Sequence, residues 1–120
     1  MEIIKKLRDK DPSPATKSGE LKYNDIFLIR NDDGKDYLHI FLNNKKFGVV
    51  ELEYNDAIFN KIIQSTWTVE RNGTTVKSNS FINYNSKTIR LTQILKELNL
   101  PPYHILDEEY IEENMKLYYH

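Results

Sequence analysis

The stretch from Phe47 to Leu98 constrains this chain more than any other, because it sets strand, short-helix and hairpin signals in one order. Phe47 to Leu52 reads as a strand. Asn55 or Asp56 then offers a side-chain cap, and Ile58, Phe59, Ile62 and Ile63 recur at helical spacing to form one apolar stripe, with Asn60, Lys61 and Gln64 opposite. Thr66 to Arg71 reads as a strand, Asn72-Gly73 as a two-residue hairpin turn, and Thr74 to Phe81 as the returning strand. A looser turn at Asn83 to Lys87 leads to a third strand at Thr88 to Leu91. The expectation is a three-stranded antiparallel sheet packed on a short helix.

Strand alternation gives that sheet two unlike faces. If Trp67, Val69, Val76, Ile89 and Leu91 point inward, then Thr66, Thr68, Glu70, Thr75, Lys77, Asn79, Thr88 and Arg90 point outward. The outward face is polar, rich in hydrogen-bonding groups and mildly cationic.

Upstream, Asp25 to Arg30 and Asp36 to Leu42 flank Asn31-Asp32-Asp33-Gly34-Lys35, a turn signal, and Asn43-Asn44-Lys45-Lys46 leads on into Phe47. A three-stranded meander is expected there. Met1 to Lys10 puts Ile3, Ile4 and Leu7 on one side of a possible short helix without a strong cap, and Asp11 to Gly19, with two prolines, reads as a linker. Downstream, Thr92 is the expected cap of a helix with Ile94, Leu95 and Leu98 inward, stopped by Pro101-Pro102. Asp107 to Leu117 opens with acids, as a helix N-terminus prefers, and spaces Tyr110, Ile111, Met115 and Leu117 roughly helically. The fold class is therefore α+β with small antiparallel sheets and a C-terminal helix. Residues 1–21 are an arm, 22–100 the sheet-and-helix domain and 101–120 an acidic tail, and 120 residues suffice for one core.

The absence of cysteine excludes disulfides, thiolate metal sites and thiol nucleophiles, and fits a reducing cytoplasm. No run of about 18 apolar residues occurs, so a membrane partner is not expected. Residues 1–20 carry five Lys or Arg against four Asp or Glu, residues 21–100 eleven against nine, and residues 101–120 one against five. Charge so nearly balanced argues against nucleic-acid binding by a blanket of positive charge, though a local patch could still do it.

Enzymatic constellations are missing from the sequence. His39, His104 and His120 are scattered, and His39 between Leu38 and Ile40 reads as a surface or edge residue rather than a ligand. Gly19, Gly34, Gly48 and Gly73 form no phosphate loop, and no serine lies in a nucleophile elbow. Asp32-Asp33 and Glu112-Glu113 read as solvated charge. No catalysis, cofactor, metal or small-molecule substrate is expected.

The order NDIFLI, a DDGK turn, YLHIFLNNKKFGVVELEYNDAIFNKIIQSTWTVERNGT and KTIRLTQIL resembles the N-terminal region of phage-encoded HNH homing endonucleases, which contains a small DNA-binding domain of the APETALA, or ethylene-responsive-factor, type. The resemblance covers residues 22–98. It implies a phage-encoded DNA reader with a three-stranded sheet. Two departures stand against the full endonuclease. Arg90-Leu91-Thr92-Gln93-Ile94 replaces the family's Leu-His-Arg-Leu run, and nothing after Leu100 resembles the HNH nuclease module.

Two binding readings follow. In one, the outward sheet face enters a DNA groove: Lys77 and Arg90 address guanine or phosphate, Asn79 adenine, Thr66, Thr68, Thr75 and Thr88 supply short hydrogen bonds, and Arg71 and Lys87 meet backbone phosphates. In the other, the chain is a phage-encoded inhibitor of a host nucleic-acid enzyme, bound through Tyr103, Glu108, Glu109, Tyr110, Glu112 and Glu113. An ordinary solvated sheet face and a solvated covering helix are the plain alternatives to each.

Overall fold

The computed structural model describes residues 1–8, 24–42, 48–63, 65–70, 74–79, 89–106 and 108–118. The expected linker at 11–19, the turns at 43–46, 72–73 and 83–87, and the residues Gln64, Phe81 and Asp107 lie outside the described residues.

Glu2–Arg8 is a strand, β1, where a helix was expected. An uncapped helix of this length is marginal in water, whereas β1 gains a ladder by pairing antiparallel with β2 (Ile26–Arg30), from Glu2 opposite Arg30 to Arg8 opposite Ile26. Irregularities between Ile3 and Lys5 and between Lys6 and Arg8 break its register. β2 then pairs with β3 (Asp36–Phe41), and β3 with β4 (Val49–Glu53), which is the expected meander. Gly34 makes the first turn possible: at φ 80° it sits in the left-handed region, its N–H reaches Asn31 O at 2.9 Å, and Asn31 N donates to Lys35 O at 3.0 Å.

After β4, Asn55 caps α1 (Asp56–Ile62), its side-chain oxygen accepting from Ile58 N at 2.8 Å. The hairpin follows as β5 (Thr66–Val69) and β6 (Val76–Asn79), a separate two-stranded sheet. The expected third strand is reduced, among the described residues, to one bridge between Lys77 and Arg90. Leu91 begins α2 (Leu91–Glu97), and its N-cap is Arg90 with no side-chain hydrogen bond, not Thr92. Leu91 is still buried, but from a helix, while Ile89 is 39% exposed rather than inward.

α2 ends on a Schellman motif. Leu100 N donates to Leu95 O at 2.9 Å and Asn99 N to Lys96 O at 3.2 Å, with Asn99 at φ 55°. Pro101-Pro102 then turns the chain into β7 (His104–Leu106), which pairs with β4. The five-stranded antiparallel sheet has the order β1-β2-β3-β4-β7, and α3 (Glu108–Tyr118) closes the described chain. The molecule is thus a small α+β fold with a five-stranded sheet, a two-stranded sheet and three helices among the described residues.

The two faces of the large sheet are covered differently. Ile26, Leu38, Ile40, Val50 and Leu52 face a core completed by Ile58 and Ile62 of α1, Trp67 and Val76 of the hairpin, and Leu91, Ile94 and Leu95 of α2. Residues one step out of phase, Phe27, Ile29 and Phe41, pack instead with Tyr118 and Tyr110 of α3 and with Ile3.

Candidate functional site

The hairpin is fixed to the body by side chains that complete its backbone hydrogen bonds. Buried Asn24 donates through Nδ2 to Phe41 O and Trp67 O, each at 2.9 Å, and accepts from Trp67 N at 2.6 Å. The Trp67 indole donates to Ile62 O at 3.0 Å, which uses a carbonyl at the end of α1. On the returning strand, Tyr103 Oη donates to Thr74 O at 2.6 Å and accepts from Val76 N at 3.1 Å. Trp67 and Val76 therefore face the core, and the alternating positions face away.

Directly opposite residues of an antiparallel pair share a face, and the register places Thr68 opposite Lys77, and Lys77 opposite Arg90. These three side chains make one row across the strands, about 10 Å long at the usual strand spacing. Thr75 is half-buried near the turn end of the hairpin, and Arg90 is 65% exposed. The bridge is held by Ser78 N donating to Ile89 O at 2.8 Å and by Ile89 N donating to the buried Ser78 Oγ at 3.0 Å. Glu70, expected on the same outward face, stands 3.8 Å from Arg90 Nε and partly offsets its charge. An exposed pair at that distance is worth little and opens to a better anion.

Of the other residues expected on this face, Thr66 is 5% exposed and so is withdrawn from solvent, although its backbone keeps the expected register opposite Asn79. Arg71, Lys87 and Thr88, and the side chain of Asn79, lie outside the described residues.

The tyrosines expected as partner anchors are engaged within the fold. Tyr103 ties down β6, and Tyr110 and Tyr118 pack on the second sheet face. Glu109, Glu112 and Glu113 are exposed along α3, and the side chain of Glu108 lies outside the described residues.

Beneath α3 runs a polar chain that sequence reasoning missed. His39 is fully buried rather than a surface or edge residue, because it shares its face with Phe27 and Phe41, and α3 covers that face. Its Nε2 lies 2.8 Å from Glu51 Oε2 and its Nδ1 2.6 Å from Tyr118 Oη. Tyr118 Oη lies 2.6 Å from Tyr110 Oη, which also lies 2.9 Å from Met1 Sδ. A carboxylate only accepts, so Nε2 donates to Glu51, and Nδ1 shares a hydrogen bond with the Tyr118 hydroxyl. The hydrogen bond from His39 holds the Glu51 carboxyl below the usual carboxylate range, while burial pushes both the Tyr110 and Tyr118 phenols up. The only sequence signal for this chain was the alternation of Tyr37, His39 and Phe41, which gave β3 a second face needing cover.

Among the described residues, no group of three or more His, Asp or Glu is arranged to hold a metal ion, and no helix is long and apolar enough to cross a membrane. Compared with protein-family models, with curated proteins and with solved structures, the chain matches none.

Proposed function

We propose that this chain is a non-catalytic nucleic-acid-binding module that contacts DNA through the outward face of the β5–β6 hairpin. The observation that carries the reading is the cross-strand row Thr68, Lys77 and Arg90, two cations and a hydroxyl aligned on one face whose opposite side is anchored in the core. A paired strand ribbon fits the major groove, where Arg and Lys address guanine or phosphate. Duplex binding read by fluorescence anisotropy tests it. If Lys77 and Arg90 each neutralise one phosphate, log affinity falls with log salt at a slope of about −2, and Lys77→Ala with Arg90→Ala removes most of that slope. No binding to any duplex at low salt overturns the reading.

A second reading is a phage-encoded inhibitor that occupies the nucleic-acid channel of a host enzyme. Its support is the exposure of Glu109, Glu112 and Glu113 on a helix whose Tyr110 and Tyr118 face the sheet, so the acids are presented outward. Reversal of those three charges abolishes a complex captured from host lysate if this reading holds; an undiminished complex removes it.

A further inference from the structure

Between β1, at the edge of the large sheet, and the last turn of α3 lies a trough that the fold leaves open. We propose that this trough is a binding site for an uncharged aliphatic chain, the chemistry of a medium-length alcohol or acyl ester.

Among the described residues four large apolar side chains are exposed, and three of them line this one cavity: Met1 at 37%, Ile4 at 37% and Leu117 at 48%. The fourth, Ile89, precedes α2 and is not part of the lining. Apolar side chains scattered singly over a surface need no explanation, but their convergence on a concave surface marks a place to be filled. Backbone irregularity produces the convergence. In a regular strand Ile3 and Ile4 would point to opposite faces, whereas the break in register between Ile3 and Lys5 leaves Ile4 with no residue opposite it on β2, and both isoleucines line the trough. Phe27 of β2 and Tyr118 of α3 extend the lining, and the volume is about 480 Å³, within the ~300–1,000 Å³ of small-molecule sites.

The charges around the trough are already matched within the fold. Lys6 Nζ lies 3.3 Å from the buried Asp25 carboxylate and 5.5 Å over the Phe27 ring, and the Met1 ammonium lies 2.9 Å from Asp32. Glu2 stands opposite Arg30 across the β1–β2 pair, where the two charges attract. The Tyr118 hydroxyl is engaged by His39 and Tyr110. A charged ligand would have to compete with these pairs, while an uncharged chain only displaces water from apolar surface. The trough thus takes a small-molecule partner, a class not expected from the sequence, and selects it by chain length rather than by a charged head.

The test is a methyl-detected nuclear magnetic resonance titration of the full chain with hexanol, heptanol and octanol, each below its solubility limit. Saturable shifts should fall on the methyls of Ile3, Ile4 and Leu117, and each added methylene should tighten binding about threefold, a little under the roughly fourfold of complete burial. Octanoate should bind no more tightly than octanol. Ile4→Thr combined with Leu117→Gln, both at exposed positions, should weaken octanol about tenfold. If that variant does not fold, cross-relaxation from octanol protons to the wild-type Ile4 and Leu117 methyls must be present. Shifts that do not saturate, an affinity independent of chain length, or octanoate binding more than about threefold tighter than octanol overturns the proposal. So do shifts of the same methyls that track protein concentration without alcohol, which would assign the trough to a second copy of the chain.

Discussion

Replacing Asn24 with alanine should loosen the hairpin from the rest of the molecule and cost a large part of its stability. The amide makes two buried hydrogen bonds, to Trp67 O and from Trp67 N at 2.9 and 2.6 Å, and a partly buried one to Phe41 O at 2.9 Å. Asn24→Ala strands two carbonyls and one N–H, each costing about 1–3 kcal/mol where water does not enter. Partial relaxation brings the expected total to about 3–5 kcal/mol, against the ~5–15 kcal/mol of a typical domain. Urea unfolding of both proteins measures it, with amide exchange of Trp67 and Thr68 reporting whether the hairpin opens first. Asn24→Asp should be no better, since it keeps the acceptor for Trp67 N but turns a carboxylate toward two carbonyl oxygens. A loss below about 1 kcal/mol, with hairpin amides as protected as before, would refute the role assigned to Asn24.

Other outcomes follow from the same contacts. Trp67→Ala should cost about 3–5 kcal/mol in the same assay, because the indole is fully buried and bonded to Ile62 O. Asn99→Ala should cost about 1 kcal/mol, since φ 55° is disfavoured for a residue with a Cβ, while Asn99→Gly should be neutral or stabilising. The lowered carboxyl of Glu51 contributes stability that is present above the ordinary carboxylate pKa and lost as pH falls through the lowered one. Glu51→Gln should therefore flatten the acid limb of a stability–pH curve. Burial of Tyr118 acts in the opposite direction: its contribution is intact below the ordinary phenol pKa of about 10 and is lost as pH rises beyond it. Tyr37 is pushed up to about 12 by its hydrogen bond to Asp33, and Asp33→Ala should return its ultraviolet titration to about 10.

Much of the fold was legible because local signals agreed with the tertiary outcome. Alternation and the left-handed Gly34 marked β2 to β4, Asn55 marked the start of α1, and the apolar spacing of Ile94 and Leu95 marked α2. What could not be read depends on distant partners. β1 is a strand because β2 offers an edge, and β7 is only three residues whose strand character comes from pairing with β4. On the candidate interface, the row Thr68 and Lys77 and the presence of Glu70 on the same face followed from hairpin alternation, but the burial of Thr66 came from packing outside the hairpin pattern. His39 was misread for the same reason. Period-two alternation separates it from Leu38 and Ile40, but whether the second face meets water is decided by Tyr110 and Tyr118, more than 70 residues away.

The position of β7 at the sheet edge, followed directly by α3, also bears on synthesis. Strands β1 to β4 leave the ribosome before residues 104–118 exist, so a nascent chain that has already paired its meander carries Phe27, Ile29 and Phe41 on a bare face beside an unpaired β4 edge. Such a species has the exposed apolar surface and free strand edge that chaperones capture and that seed aggregation. Chains stalled or cleaved before residue 104 should therefore accumulate as insoluble material, because residues 104–118 supply both the missing strand and its cover.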